Sequence, residues 1–181
     1  MNGMSCFYRA TFSRALLFVL LPTVPGAAQS ESASKPPPAK LSPQTAALER
    51  DFFAAIREGN VAKILSYVPE EGVHLGGAAQ PTDKAEVENQ LLHHGALYCK
   101  LFDSSCIAGT IKLDASARPC SDRELLTHSD KVRTAASETV RNGVRQAILV
   151  AEVKNNQCAG PGLIDFIFNH EQGEWKLFAV P

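Results

Sequence analysis

The chain has 181 residues, of which 45% are hydrophobic and 20% charged, and its formal net charge at pH 7 is −1. A near-neutral chain without a basic stripe excludes a nucleic-acid-binding or anionic-membrane-binding protein, since both need a cluster of positive charge. The length suits one globular domain with a single core and short appended segments.

Residues 1–28 have the three-part plan of a secretory signal peptide. Arg9 and Arg14 supply positive charge, the apolar run Ala15–Leu21 follows, and Gly26-Ala27-Ala28 offers the small residues of a cleavage site. The apolar run is far shorter than the roughly 20 residues that cross a bilayer, which argues against a membrane anchor. We therefore predict cleavage after residue 28, a periplasmic or secreted location and no membrane span in the mature chain.

Residues 29–43 form the next segment, which contains almost nothing apolar and includes Pro36-Pro37-Pro38. Such a composition buries too little surface to offset the entropy of ordering, so it predicts a flexible Pro/Ser-rich tether. Residues 44–181 are then expected to form a single domain.

Five cysteines occur in the chain, and removal of the signal peptide takes away Cys6. The four that remain, Cys99, Cys106, Cys120 and Cys158, predict two disulfides in an oxidising compartment, with three connectivities open. The short loop between the first two favours the pairs Cys99–Cys106 and Cys120–Cys158. Zinc is not expected, because no close ligand pair such as C-x₂-C is present.

The first helix is predicted from Ser42, a capping hydroxyl followed by proline, and from the apolar stripe Leu48, Phe52 and Ile56. Gly59 is expected to end it, as glycine commonly ends helices.

Two further helices follow. Asn60 can cap a short helix over residues 61–68 that Pro69 stops, and Asp83 opens another that runs through Leu92 to Gly95. Between them, Val73-His74-Leu75 predicts a short strand.

The middle of the chain is harder to interpret. Residues 96–102 (ALYCKLF) predict a strand with Leu97, Cys99 and Leu101 on one side, and residues 103–120 predict a disulfide-tethered loop. Ser121, followed three residues later by glutamate, is a capping box that starts a short helix.

The C-terminal third predicts two β-hairpins. Residues 132–140 and 144–153 flank Asn142-Gly143, which is the strongest short-range hairpin signal. Residues 163–168 and 174–180 flank a second turn around Gly173. The element order predicts an α+β fold in which N-terminal helices pack on a curved, mainly antiparallel sheet, a cone-like roll.

This order resembles the nuclear-transport-factor-two-like superfamily, a cystatin-like roll that includes polyketide-cyclase-like and ketosteroid-isomerase-like proteins. The resemblance covers roughly residues 44–181. It is carried by residues 48–68 (LERDFFAAIREGNVAKILSYV) and 163–181 (LIDFIFNHEQGEWKLFAVP), with its Gly-x-Trp-Lys-Leu ending. The irregular segment 103–120 and the cysteines depart from the family's pattern.

Asp165 is the main candidate for catalysis, because strand alternation places it on the same side as Leu163 and Ile167, and an acid among apolar neighbours can serve as a general base. In related isomerases and dehydratases an acid and a His or Tyr point into a cone-shaped pocket, which makes Tyr98 and His74 the candidate partners. The alternative is structural: Asp165 pairs with a cross-strand cation or faces solvent.

Other polar residues have structural interpretations too. Gln146 and Glu152 share one strand face with Val150 and either line a pocket or belong to a half-solvated outer face. His93 and His94 suit the negative end of a helix dipole, and neighbouring residues on a helix point too far apart to share a metal. No cofactor or metal is predicted.

The sequence thus favours an exported, non-catalytic protein that binds a small apolar ligand or a protein partner through its α+β roll. One alternative is an isomerase- or dehydratase-type enzyme with Asp165 as the base and Tyr98 or His74 as the donor. Another is a periplasmic inhibitor or immunity protein that docks through loop 103–120.

Overall fold

A computed structural model describes residues 41–107, 118–154, 158 and 162–181. The predicted signal peptide and residues 29–40 of the predicted tether lie outside the described residues. The elements in chain order are α1 (Pro43–Glu58), α2 (Val61–Leu65), β1 (His74–Leu75), α3 (Lys84–Leu92), α4 (Ala96–Phe102), a 3₁₀ turn (Ser104–Cys106), α5 (Asp122–His128), β2 (Lys131–Arg141), β3 (Val144–Lys154), β4 (Leu163–Glu171) and β5 (Glu174–Val180).

The predicted helix caps are confirmed. The Ser42 hydroxyl accepts a hydrogen bond from the backbone N–H of Thr45, and α1 ends at Gly59 in the left-handed conformation with φ 70°. The side chains of Asn60 and Asp83 cap α2 and α3, and Ser121 forms a complete capping box at the start of α5. α2 is shorter than predicted, since it ends at Leu65.

The strand predicted over residues 96–102 was wrong, because Ala96–Phe102 forms helix α4. Leu97 and Leu101 lie four residues apart on one buried helix face, a spacing that also fits the alternation of a strand in so short a run. Gly95 precedes α4 as its N-cap and does not close α3. Residues 93 and 94 therefore lie in the connection between two helices.

The sheet has the order β1-β5-β4-β3-β2. β1 pairs with β5 in parallel, and all other neighbours are antiparallel. Both predicted hairpins are confirmed: Asn142-Gly143 and Gln172-Gly173 adopt the positive φ angles that two-residue turns between twisted strands require. The predicted α+β class, with helices N-terminal to the main antiparallel strands, is confirmed.

The helices cover one face of the sheet. Phe52 and Phe53 of α1 are fully buried against Phe166 and Phe168 of β4, and Leu149 of β3 lies in the same core. Because side chains alternate along a strand, the residues between these positions lie on the opposite face. We call that surface the open face; its members on the three central strands include Val144, Gln146, Ile148, Val150, Glu152, Leu163, Asp165, Ile167, Asn169 and Phe178.

Two disulfide bonds join the predicted pairs. Cys99 of α4 is bonded to Cys106 of the adjoining 3₁₀ turn, and Cys120, which precedes α5, is bonded to Cys158 between β3 and β4. The second bond closes the longer loop, with a sequence separation of 38 residues, and so ties the start of α5 to the far end of the β2–β3 hairpin.

A carboxylate clamp fastens the beginning of α1 to β2. The Oε1 atom of Glu138 accepts hydrogen bonds from the hydroxyls of Ser42 and Thr45 and from Nη2 of Arg145, the last at 2.8 Å. The Arg145 guanidinium also lies 5.2 Å from the ring centroid of Trp175. Burial opposes ionisation of Glu138, but these hydrogen bonds and the charge of Arg145 lower its pKa from 4.5 to about 2.

Glu138→Gln is expected to lower the free energy of unfolding by about 1–2 kcal/mol at pH 7, because the ionised form is the one the clamp stabilises. Because the pKa of Glu138 is lower in the folded protein than in the unfolded chain, the ionised carboxylate stabilises the fold above pH 4.5. This stabilisation is lost as the pH falls from about 4.5 through about 2. Urea unfolding at several pH values should show the two proteins converging below pH 4. Glu152→Gln, at an exposed carboxylate on β3, is the control. A difference that stays constant down to pH 2 would contradict the clamp.

Candidate functional site

A concave site lies across one end of the open face. Its volume is about 670 Å³, and its principal side chains come from five strands. Residues that line it are His74, Gly77, Ala78, Arg141, Asn142, Val144, Gln146, Asn169 and Phe178. This size falls within the range of about 300–1,000 Å³ that is usual for small-molecule sites.

Sheet register brings the polar centre of the site together. Gln146 of β3 lies directly opposite Asn169 of β4, and both side chains point to the open face. Nε2 of Gln146 donates to Oδ1 of Asn169 at 2.8 Å, and Gln146 is only 9% exposed. An amide pair that makes one mutual bond keeps one NH₂ group and one carbonyl oxygen for a ligand, whichever way the two amides are turned.

The aromatic end of the site is made by His74 and Phe178. The short parallel pairing of β1 with β5 sets the two rings 4.8 Å apart between centroids. His74 Nδ1 lies 3.0 Å from the carbonyl oxygen of Ala78. Because a carbonyl can only accept, the Nδ1–H of His74 is the donor in this contact.

The charge of the site is positive. Arg141 lies at the opposite end from the rings, is exposed and forms no ion pair with any described residue. None of the described residues that line the site is acidic. Arg145, in the same hairpin, differs in this respect, since its guanidinium is paired with Glu138.

The three residues proposed for catalysis do not come together. Asp165 lies half-buried on the open face, opposite Val150, but is not among the residues that line the site. Tyr98 lies on α4, in the helix layer on the other side of the sheet, where its ring stacks on His94 at 4.0 Å. His74 alone of the three contributes to the site.

The charge of Asp165 acts on a structural ion pair, Lys100–Asp122. Burial raises the pKa of Asp122. Lys100, whose Nζ lies 3.2 Å from the Asp122 carboxylate, lowers this pKa, and the charge of Asp165 raises it by a smaller amount. The Lys100–Asp122 pair joins α4 to α5, so it belongs to the helix layer and not to the open face.

The histidine pair lies at the C-terminal end of α3, the end of a helix at which it was expected. His93 ends α3 as its C-cap residue, and His94 has a positive φ of 58° in the connection to α4. The described parts of the chain contain no group of three His, Cys, Asp or Glu residues arranged to hold a metal ion.

Sequence reasoning missed three of the groups that form the site. The sequence patterns singled out neither Arg141 nor Phe178 nor Asn169 as a site residue. Alternation along β4 places Asn169 on the same face as Asp165, and the cross-strand register, which then selects Gln146 as its partner, appears only in the folded sheet.

No family model matches the chain, and no curated protein matches it. The resemblance to the nuclear-transport-factor-two-like superfamily therefore stays a prediction. None of the helices among the described residues combines the length and the apolar character that crossing a membrane requires.

Proposed function

We propose that this protein is an exported, non-catalytic binding protein that holds a small, largely apolar ligand at the open-face site. The observation that carries the proposal is the packing of the opposite face. The ring of Phe52 contacts Phe166 at 4.8 Å and Phe168 at 4.9 Å between centroids, so aromatic side chains fill the space between α1 and the sheet. A ligand then has to bind elsewhere, and the open face offers a concave site.

The composition of the site favours a small molecule over a protein partner. An aromatic pair and an amide pair, of which Gln146 is nearly buried, converge within one concavity. This is typical of ligand sites where apolar walls supply affinity and a few polar groups fix orientation. A protein interface draws its affinity from a broad patch with a central anchor. The open-face site brings Gln146, Asn169 and Arg141 together in one concavity, where they can orient a ligand.

Export is supported by the signal-like residues 1–28 and by two disulfides, which persist in oxidising compartments. The enzyme alternative has less support, because Tyr98 lies in the helix layer and Asp165 is not among the residues that line the site with His74. The inhibitor alternative relied on loop 103–120, of which residues 108–117 lie outside the described residues.

The neutral probe 6-phenylhexanamide, with an aromatic ring, an alkyl chain and one amide, is expected to bind at the open-face site. In an NMR titration of the protein, the side-chain NH₂ signals of Gln146 and Asn169 should shift. Phe178→Ala should weaken binding about tenfold, a loss of about 1.4 kcal/mol, because the ring contact is removed.

Leu163→Ala is the matched control, since Leu163 is an apolar open-face residue that is 49% exposed and outside the site. It should leave the affinity unchanged. His74→Ala provides a second test should Phe178→Ala fail to fold. Probe-induced shifts confined to α1–α5, or unchanged affinity in both folded variants, would overturn the proposal.

A further inference from the structure

We infer that the ligand is an elongated aromatic carboxylic acid, whose ring lies on Phe178 and His74 and whose carboxylate pairs with Arg141. This inference rests on the proposed function and adds the charge, the orientation and the length of the ligand. Three observations support this inference. Arg141 has no ion-pair partner among the described residues, the aromatic pair lies at the other end of the site, and the amide pair lies between them.

The guanidinium of Arg141 is the reason to expect a carboxylate on the ligand. An exposed guanidinium without a described carboxylate partner has its five donors available, and its planar fork matches a carboxylate through two parallel hydrogen bonds. The absence of acidic residues among the described lining residues removes the repulsion that an anion would otherwise meet. A cationic ligand has no counter-charge in this lining.

The separation of Arg141 and Phe178 sets the length of the ligand. Arg141 ends β2 and Phe178 belongs to β5, and the sheet order places β3 and β4 between them. Three strand spacings of roughly 4.8 Å separate β2 from β5 by about 14 Å. An arginine side chain spans part of that distance, so the ring and the carboxylate of one ligand have to be separated by several methylene-sized units.

The centre of the site favours the same orientation. A ligand that spans from Phe178 to Arg141 crosses β4 and β3, where Asn169 and Gln146 face the open side. Their remaining amide donor and acceptor can bind a polar group in the middle of the ligand, while Val144 contributes apolar surface near the Arg141 end. The site is therefore apolar and aromatic at one end, polar in the centre and cationic at the other end.

The test compares 6-phenylhexanoate with 6-phenylhexanamide, which have nearly the same shape and differ in charge. NMR titration of the protein should show the acid binding about fivefold more tightly than the amide, which is the gain expected of a solvent-exposed ion pair of about 1 kcal/mol. Arg141→Gln should abolish this preference, so that the acid and the amide bind this variant with the same affinity. Arg133→Gln, at an exposed arginine elsewhere on β2, should preserve it.

Length is tested with phenylacetate, which cannot reach from the aromatic pair to Arg141 and should bind more weakly than 6-phenylhexanoate. Equal affinity of the acid and the amide, or an acid preference that survives in Arg141→Gln, would overturn the inference and leave the proposed function standing. Equal affinity of the long and the short acid would overturn the orientation. If none of the three probes shifts the Gln146 and Asn169 signals, the proposed function fails as well.

Discussion

Replacing Phe52 by alanine is expected to lower the free energy of unfolding by about 3–5 kcal/mol, the usual cost of removing a buried aromatic ring. Phe52 is 0% exposed, and its ring contacts four other aromatic side chains, from α1, β4 and Tyr67 just after α2. The loss combines the transfer free energy of the ring with the cavity that it leaves. Urea denaturation followed by circular dichroism measures it.

Phe178→Ala is the matched control for this prediction. The same atoms are removed, but Phe178 lies half-exposed on the open face, so we expect a loss of about 1 kcal/mol. Equal losses for Phe52→Ala and Phe178→Ala would show that the aromatic cluster is not the centre of the core. They would also remove the argument that the helix side of the sheet is filled.

The double change Cys120→Ser/Cys158→Ser is expected to lower the free energy of unfolding by about 3–4 kcal/mol. The bond closes a loop with a sequence separation of 38 residues, and in the chain-entropy account the stabilisation grows with loop length. Cys99→Ser/Cys106→Ser should cost less, about 2 kcal/mol, because that separation is only 7 residues. Guanidinium unfolding of both variants measures the difference.

Two outcomes would contradict the disulfide prediction. Mass spectrometry of the unmodified protein that finds these four cysteines as free thiols would remove its premise. A larger loss for the short loop than for the long one would show that local strain or packing, and not restriction of the unfolded chain, dominates the contribution of these bonds.

Local signals in the sequence were sufficient for most of the fold. Ser42, Asn60 and Ser121 cap helices with their own side chains, and Asn142-Gly143 fixes a two-residue turn, so each effect is decided within a few residues. Alternation in β3 and β4 then predicted which residues share a face, such as Gln146 with Val150 and Asp165 with Ile167. Such features need no knowledge of the rest of the molecule.

Residues 96–102 show where local signals were insufficient. A seven-residue apolar run satisfies both the helix and the strand period, and the choice was made by contacts with other parts of the chain. The side chain of Gln90 on α3 accepts from the backbone N–H of Leu97, and Leu97 and Leu101 enter the common core. Placing Tyr98 on a strand followed from the same error.

The candidate site was less predictable than the fold. Its side chains come from five strands, and only the cross-strand register aligns Gln146 with Asn169 and places Phe178 beside His74. His74 was selected from the sequence as a partner of Asp165, which is not among the residues that line the site. Which residues share a face can be derived from alternation; which neighbours they meet across strands cannot.

The Glu138 clamp also bears on the kinetics of folding. It joins residues that lie 96 and 103 positions apart along the chain, and β1 gains its partner only when β5 is present. Contacts so distant in sequence close late and slow the search for the native state. A chain of this kind stays unfolded for longer after synthesis, which suits the export that we propose for this protein.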